Sequence, residues 1–382
     1  MRSDITAFLS VVPRSRWPKG GSQGDLVQLP LESYADLQRI PGRVLFDAVT
    51  QRAVKAFFAN GGVEARMIAV FVDSSRDLLT ASIATPGMDS MLECLRGQED
   101  IGLLAMPVLA YLPHMVEPGG KVRCGADAMI RLLLEHCREM NNRFLIIDAP
   151  QHLHDRPLRR WTRELRRTMQ GLESYGALYY PWIHSGDEVY PPSGAVAGLY
   201  ARLENQHAPW GVYWPPANDV LRGVTHTQVE LHYGETEELT DAGVNPIMIQ
   251  PGRGVVVWGA RTLSRDPRWM HINSRRIVCV ISEQLRRDSA WAVFENQSHD
   301  LWKILERTVR HRMDAMWTSG LLAGSVAGDE YMIQCDEETN PLAVRDAGQV
   351  HVKVVMKPIS TTEFIVVELR LGANADNAIV TS

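Results

Sequence analysis

The residues of this chain whose types could do chemistry are an aspartate, two histidines and a serine near the middle of the sequence. Asp148 follows the apolar run Phe144–Ile147, and His152, His154 and Ser193 come later in the chain. An acid, a base and a hydroxyl can together hydrolyse an ester or a peptide bond. No Gly-x-Ser-x-Gly turn surrounds Ser193, however, and its two neighbours, a proline and a glycine, predict a loop. A serine hydrolase is therefore the remote alternative, and the sequence predicts a protein without catalytic residues.

The same segment raises the question of a bound metal or cofactor. His152 and His154 are two residues apart, but no third ligand accompanies them at the spacing typical of zinc sites. Gly252-Arg253-Gly254 leads into an apolar strand, whereas a phosphate-binding loop leads into a helix. The sequence predicts surface histidines, no metal and no cofactor.

Two basic helical faces are candidate binding surfaces. The first belongs to an amphipathic helix and contains Arg156, Arg159, Arg160, Arg163, Arg166 and Arg167. This face is either solvated, in contact with an acidic surface of another subunit, or in contact with a nucleic acid backbone. The second lies on the predicted helix His299 to Trp317, opposite its apolar stripe, and contains Lys303, Arg307 and Arg310.

The elements that must position these side chains alternate between strand and helix. Continuous apolar runs predict strands buried on both faces at Met67–Val72, Leu103–Met106, Phe144–Ile147 and Ala177–Tyr180. Helical spacing of apolar residues predicts helices at Gln51–Asn60, Met129–Met140 and Leu158–Met169. This order is typical of a parallel α/β layered domain, which we place at Val63 to Tyr233, after an N-terminal segment, 1–62, that packs with its core.

A second domain is predicted after a cluster of turn formers at Gly234. Its elements are a strand at Val255–Trp258, helices at Ile277–Arg286 and His299–Trp317, and strands at His351–Met356 and Glu363–Leu371. That is α+β ordering over residues 234–371, followed by a tail, 372–382.

Composition excludes several classes of protein. The chain has 382 residues, 45% of them hydrophobic, and a formal net charge of -5, which gives no overall attraction to nucleic acid or to anionic lipid. Its five cysteines are odd in number and contain no C-x-x-C pair, so they predict reduced thiols. No apolar run near the start is long enough for a membrane-spanning helix. The chain is therefore expected to fold in the cytoplasm.

Long blocks of the sequence resemble one protein family. The most specific are Tyr190 to Val224, YPPSGAVAGLYARLENQHAPWGVYWPPANDVLRGV, and Gly243 to Ser264, GVNPIMIQPGRGVVVWGARTLS. The similarity begins at Asp4 and returns at Cys335-Asp336 and Glu363–Val366. On these residues the chain resembles the contractile tail sheath proteins of phages and of phage-like injection machines.

The resemblance implies a structural subunit that polymerises helically around an inner tube and contracts to drive the tube through a target envelope. The implied fold is a subtilisin-like α/β domain followed by a C-terminal α+β domain, with arms that add strands to neighbouring subunits. The implied partners are copies of the chain or paralogous sheath subunits, an inner tube protein, and baseplate and tail-terminator or cap proteins. Neither nucleic acid nor membrane insertion is implied.

The resemblance also assigns roles to residues. Lys303, Arg307 and Arg310 either form a solvated face or, as the resemblance implies, contact the inner tube, because a helix of the C-terminal domain does so in the family. The inter-subunit arm would contain Glu363, Phe364, Ile365, Val366, Val367 and Leu369, together with the tail. Scaffold roles fall on Gly194, Tyr200, Asn205, Asn218, Asn245, Pro246, Pro251, Gly252, Arg253, Gly254, Trp258, Gly259 and Arg261.

One departure from the family bears on the kind of particle. Sheath proteins usually begin with an extended arm ahead of the part matched by Asp4, and only Met1-Arg2-Ser3 stand there. We therefore expect the N-terminal donor strand to be missing, and an alternative is a specialised end-ring subunit near the baseplate or cap that does not propagate the lattice. The chain is also short for the family, which favours the extracellular injection-system type. Assembly is expected in bacterial cytoplasm, within a phage tail or phage-tail-like particle.

Overall fold

A computed structural model describes residues 3–16, 22, 24–39, 46–72, 87–112, 114–116, 122–208, 211–323, 331–359, 365–372 and 379–381. The chain forms two compact units. The larger contains the residues up to 138 together with 143–265, and the smaller contains 139–142 and the residues from 266 onward. None of the described helices is both long and apolar enough to span a bilayer.

The larger unit contains fourteen strands and seven helices among its described residues. The strands are β1 Thr6–Pro13, β2 Leu26–Leu31, β3 Ala65–Val72, β4 Leu103–Ala105, β5 His114–Val116, β6 Val122–Cys124, β7 Phe144–Asp148, β8 Gly176–Tyr180, β9 Ile183–Ser185, β10 Glu188–Tyr190, β11 Asp219–Val220, β12 His226–Thr227, β13 Val244–Gln250 and β14 Gly254–Val257. The helices are α1 Tyr34–Gln38, α2 Ala48–Ala59, α3 Met88–Arg96, α4 Asp127–Met140, which ends in the smaller unit, α5 Asp155–Thr168, α6 Ser193–Gln206 and α7 Tyr233–Ala242.

A nine-stranded mixed sheet forms the centre of the larger unit, in the order β11-β14-β13-β8-β7-β4-β1-β3-β2. The six strands from β13 to β3 are parallel, and β11, β14 and β2 are antiparallel to their neighbours. β1 lies between β4 and β3, with Phe8 opposite Ala105 on one side and Met67 on the other. The predicted doubly buried strands are confirmed, since every residue of β4, β7 and β8 is buried.

Helices cover both faces of this sheet. Ala7, Leu9 and Val11 of β1 belong to one apolar core with residues of α3, α4, α5 and α7. On the other face Phe8 packs edge-to-face against Phe57 of α2, with ring centroids 5.5 Å apart. α6 packs on α2 and reaches β4 and β7. The result is a layered α/β fold with helices on both faces of the sheet.

The predicted helix at Gln51–Asn60 is confirmed and begins slightly earlier, at Ala48, where Asp47 caps it by accepting the N–H of Thr50. Gly61 ends it with φ +106°, a left-handed conformation that favours glycine.

Three elements differ from the expectation. The segment after Pro192 is helix α6 rather than a loop, and the predicted boundary at Gly234 lies inside helix α7. The next residues form β13, which pairs in parallel with β8. Because β13 and β14 complete the large sheet, the larger unit continues to Arg265 instead of ending near Gly234.

The smaller unit combines helices with an antiparallel sheet. Its helices are α8 Ile272–Ser289, α9 His299–Thr318 and α10 Leu342–Asp346, and its strands are β15 Tyr331–Gln334, β16 Gln349–Met356, β17 Ile365–Gly372 and β18 Ile379–Thr381. The sheet order is β15-β16-β17-β18. Buried and half-buried residues alternate along β16, which gives the sheet one apolar face. The predicted helices Ile277–Arg286 and His299–Trp317 and the strand His351–Met356 are thus confirmed, as is the described part of the strand Glu363–Leu371. β15, α10 and β18 were not predicted, and the strand predicted at Val255–Trp258 is β14 of the larger unit.

We predict that Gly194→Ala destabilises the larger unit, because a Cβ atom at this position would overlap the backbone carbonyl oxygen of Ala53 where α6 packs on α2. Overpacking against backbone costs roughly 1–3 kcal/mol, so the thermal midpoint should fall by several degrees. Gly234→Ala is the matched control, since nothing lies within 4 Å of a Cβ atom there. Equal melting temperatures for the two variants would show that α6 and α2 are not tightly packed.

Candidate functional surfaces

The residues Pro251–Gly254 form the turn between β13 and β14, and the side chain of Arg253 fixes it. The guanidinium of Arg253 donates to Asn218 Oδ1 and to the Asn218 carbonyl oxygen, both at 2.7 Å, and to Gln250 Oε1 at 2.9 Å. Asn218 has φ +59° and Gly252 and Gly254 also have positive φ. Arg253 therefore links the β13–β14 hairpin to the start of β11 at the edge of the sheet.

Asn245 makes a second link, inside the sheet. Its side-chain amide donates to the carbonyl oxygens of Leu178 and Arg261, and its Oδ1 accepts the N–H of Arg261 at 2.7 Å. A Cβ atom on Gly259 would lie 2.8 Å from this Oδ1, so the chain at 259–261 can pass close to β13 only with glycine there. Trp258 donates its N–H to the Pro246 carbonyl oxygen at 2.8 Å, and its partly exposed indole meets the exposed ring of Tyr233.

Helix α6 supplies two more of these polar links. The hydroxyls of Tyr200 and Tyr179 are 2.8 Å apart in the core, and Asn205 donates to Asp4 Oδ2 at 3.1 Å and to the Ala201 carbonyl oxygen. Each side chain spans elements that are distant in sequence. Asn245, Arg253, Tyr200 and Asn205 thus connect strands and helices of the larger unit.

The basic face of α9 is exposed, as helical spacing predicted. Lys303 and Arg307 are exposed beside Ile304, and Arg310 forms an ion pair with Glu306 at 2.7 Å on the same helix. The opposite side, which includes Trp302 and Met313, is buried in the smaller unit. Two cations and an apolar side chain thus share a surface that a partner could cover.

The predicted arm lies in the chain's own sheet. β17 pairs with β16 through eight residues, from Gln349↔Gly372 to Met356↔Ile365, and with β18 through three. Ile365, Val367 and Leu369 are buried, while Glu363 and Phe364 lie outside the described residues. The described part of β17 therefore has backbone partners within the chain on both sides, and its assignment to an inter-subunit arm stays a prediction.

In the described part of the chain, Asp148, Ser193 and a histidine do not form the catalytic triad that the hydrolase alternative requires. Ser193 is completely buried at the first turn of α6, and its N–H donates to Asp148 Oδ1 at 2.7 Å. His154 lies elsewhere, with Nδ1 3.0 Å from the hydroxyl of Tyr180. Asp148 therefore acts as a cap for the N-terminus of α6. Burial raises the pKa of Asp148 to about 7, although hydrogen bonding from Ser193 opposes this.

The arginines of α5 differ in their contacts and exposure. Arg166 turns inwards and donates to the carbonyl oxygens of Leu263 and Ala242 at 2.6 and 2.7 Å, which ties α5 to the end of α7. Arg167 pairs with Glu164 at 2.8 Å on the same helix, and Arg159 forms an ion pair with Glu238 of α7. Arg156, Arg160 and Arg163 are exposed.

Helix α7 is the element near this surface that the sequence reading missed. It begins with a capping box, in which the Glu235 carboxylate accepts the N–H of His232, and it ends at Gly243 with φ +88°. The stop signal, Gly243, was present in the sequence, but His232 is not one of the usual N-cap residues, so the start was not marked. In the ranges that the structure describes, no three histidine, cysteine or carboxylate side chains are grouped as metal ligands.

Two family models match consecutive parts of the chain. The model described as the phage tail sheath protein central domain matches residues 122–263, and the model of the phage tail sheath C-terminal domain matches residues 264–372. Their junction falls next to the end of the larger unit at Arg265.

Curated relatives match part of the chain. The tail sheath protein of Vibrio phage KVP40 is 25% identical over 179 residues, which are 46% of this chain and 25% of that protein. The tail sheath protein of Enterobacteria phage T4 is 22% identical over 177 residues, 46% of this chain and 26% of that protein. The alignments thus span about a quarter of the length of these relatives.

Solved structures match over nearly the whole chain. The helical sheath of the anti-feeding prophage in its contracted state has a TM-score of 0.70 at 22% identity, covering 95% of this chain and 92% of that chain. The PVC sheath complex of an extracellular contractile injection system, also contracted, has a TM-score of 0.69 at 21% identity, with 94% and 88% covered. A sheath tail protein from Listeria innocua has a TM-score of 0.62 at 9% identity, with 97% and 95% covered. These matches establish the fold.

We predict that Asp148→Asn flattens the pH dependence of stability. The folded pKa of about 7 exceeds the ordinary value of 3.8, so the protonated carboxyl stabilises the fold fully below about pH 4. This stability is lost as pH rises towards and through 7, by at most about 1.4 kcal/mol per pH unit. Asparagine does not ionise and keeps an oxygen that accepts the N–H of Ser193. The stability of the variant relative to the wild type should therefore increase between pH 5 and pH 8.

The measurement is the melting temperature across this pH range, with Asp89→Asn on the exposed face of α3 as control. Parallel curves for Asp148→Asn and the wild type would contradict the burial of an ionisable carboxyl at the start of α6.

Proposed function

Because the chain belongs to the phage tail sheath protein family, we propose that it is a structural subunit of a contractile sheath that polymerises around an inner tube. The observation that carries the proposal is the pair of family models that match residues 122–372 without a break. The likeness to sheath chains of contractile injection systems over almost the whole length supports it. The comparisons give no support to the alternative of a specialised end ring.

The proposed assembly follows from the geometry of repeated contacts. A contact between two different surfaces of identical subunits generates a helix when its rotation does not close into a ring. Contraction would be the relaxation of a metastable lattice. If each subunit buried ~1,000 Å² more apolar surface after contraction, the gross gain at ~25 cal/mol per Å² would be about 25 kcal/mol before opposing costs. Summed over many subunits, such a gain drives the tube without nucleotide hydrolysis.

The proposed partners are other copies or paralogous sheath subunits, an inner tube protein, baseplate proteins and a tail-terminator or cap protein. The match to a chain of the anti-feeding prophage baseplate supports the baseplate contact. We place the particle among phage tails and phage-tail-like machines assembled in the bacterial cytoplasm, with no catalytic role and a subtilisin-like arrangement of the larger unit. The injection-system sheath chains have higher TM-scores and identities, 0.70 at 22% and 0.69 at 21%, than the Listeria innocua sheath tail protein, 0.62 at 9%, and this supports the injection-system type.

We propose that the tail, not β17, is the exchanged arm. β18 forms only three pairs with β17, Val367↔Thr381, Glu368↔Val380 and Leu369↔Ile379. The same edge of β17 can pair with the tail of a neighbouring subunit, because main-chain hydrogen bonds do not depend on which copy supplies the strand.

Deletion of residues 373–382 should therefore leave a folded protein that no longer forms tubes or rings. The wild type and the deletion are compared by electron microscopy and by sedimentation. A synthetic peptide of residues 373–382, added in excess, should also inhibit assembly of the wild type. Normal tubes from the truncated chain would rule out the tail as the arm.

We propose that the exposed face of α9 contacts the inner tube. Lys303 and Arg307 provide two cations beside the exposed Ile304, a combination that suits a weak contact able to slide over an acidic surface. Arg310 contributes less, because Glu306 already neutralises it.

The double variant Lys303→Glu and Arg307→Glu should still polymerise but should bind the cognate tube at least tenfold less tightly, since reversing two charges costs roughly 2 kcal/mol per subunit. Co-sedimentation with purified tube, at low and high salt, measures this. The control is Lys55→Glu with Arg138→Glu, which makes the same charge change at exposed positions of the larger unit. Equal tube binding by both variants would exclude α9.

A further inference from the structure

A cleft with an excess of positive charge lies between α5 and α7 in the larger unit. It has a volume of about 510 Å³ and is lined by Arg156, Arg159, Arg160, Arg163, Arg265, Glu238, Asp241 and Ala242. Five arginines face two carboxylates, which leaves a surplus of three positive charges. Glu238 is used by the ion pair with Arg159. The lining thus has a net positive charge, and its exposed Arg156 and Arg163 suit an anionic occupant.

Three of the arginines of the cleft form a row on one side of α5. Arg156 and Arg163 are seven residues apart, so they lie on the same side of α5, and both are exposed without an ion pair to the described residues. Arg160 is exposed between them. Arginine presents several N–H donors in a plane and binds carboxylates in bidentate geometry, so this row suits carboxylate groups that enter the cleft.

The chain itself contains a matching anion. Asp336-Glu337-Glu338 is the single run of three consecutive carboxylates in the sequence, and all three residues are exposed on a turn of the smaller unit. The turn is preorganised, because Asp336 Oδ1 accepts the N–H groups of Glu338 and Thr339 at 3.0 and 3.1 Å. Asn340 anchors its end to β16 by two hydrogen bonds with the backbone of His351.

We propose that the arginine cleft of one subunit binds the acidic turn 336–338 of a second copy, an inference that rests on the proposed assembly into a sheath. The exposed turn carries three carboxylates, and the lining of the cleft has five arginines and two carboxylates. Because the turn is already ordered, little conformational entropy is lost when it binds. The two surfaces are different, so the contact is heterologous and propagates along an assembly.

Charge reversal in two variants tests the contact. The cleft variant carries Arg156→Glu and Arg163→Glu, and the turn variant carries Glu337→Arg and Glu338→Arg, with Asp336 kept because it holds the turn. Each variant alone juxtaposes like charges, so the concentration needed for assembly should rise at least tenfold at moderate salt. An equimolar mixture of the two, or a single chain with all four changes, restores opposite charges and should assemble like the wild type.

Two variants with the same charge changes elsewhere serve as controls. Lys55→Glu with Arg138→Glu matches the cleft variant, and Asp89→Arg with Glu93→Arg matches the turn variant, all at exposed positions of the larger unit. Both should assemble normally. Circular dichroism and melting temperature confirm that every variant is folded, so that a loss of assembly reports the contact and not the fold.

The outcomes separate this inference from the function on which it rests. If the wild type forms no tubes or rings alone or with its tube protein, the proposed function fails and this contact fails with it. If the wild type assembles and the two reversal variants assemble equally well, only the contact is wrong. If the cleft variant fails but the turn variant assembles, or if the mixture is not rescued, the occupant of the cleft is another anion, such as nucleic acid or a different protein, and the inference is overturned.

Discussion

The large sheet must be covered on both faces, and this requirement determines most of the larger unit. Its parallel strands carry apolar side chains on both sides, and exposing either face would forgo roughly 25 cal/mol for each Å² of apolar surface. Helices α3, α4, α5 and α7 meet this need on one face and α2 and α6 on the other. A sheet held between two helical layers deforms little, so the unit is suited to move as one body within an assembly.

Buried polar groups connect the parts that the apolar core alone would not fix. Arg143 has no exposed surface and donates to the carbonyl oxygens of Leu95 and Gln98 at 2.9 and 2.7 Å. It also lies beside His136, and burial together with this guanidinium lowers the pKa of that histidine to about 3, so the imidazole stays neutral. Asn245, which is also completely buried, acts similarly at the other part of the sheet, between β8 and the chain at Arg261. Such groups tolerate burial only when each donor has a partner, and they therefore specify one arrangement of neighbouring elements.

The sequence predicted the elements whose pattern is local and missed those whose pattern is set by tertiary contacts. Continuous apolar runs located β3, β4, β7 and β8, because a strand buried on both faces needs no alternation. Helix α6 was not predicted, because nearly all residues of its first three turns are buried and the helix therefore has no amphipathic pattern. Small residues such as Gly194 and Gly198 allow it to pack closely on α2. β13 escaped because Pro246 argues against a central strand. The strand at Ile365–Leu371 was found from its alternation, but its partner was not, because alternation identifies a strand and not the edge to which it pairs.

Subunits of a sheath can be joined in two ways, by pairing of strands or by contact between charged surfaces. A strand added to an edge gains main-chain hydrogen bonds along its length, keeps its register, and can stay paired while the bodies that it joins rotate. Charged surfaces behave differently, because their attraction is screened within about 8 Å at physiological salt and can be broken and remade without unfolding any element. In the larger unit, α5 carries the exposed arginines Arg156 and Arg163. The smaller unit contains the antiparallel sheet β15-β16-β17-β18. We infer that links which must persist during contraction belong to the C-terminal sheet, and that links which must change belong to the charged helical surfaces, since only the latter can reform in a new register at little cost.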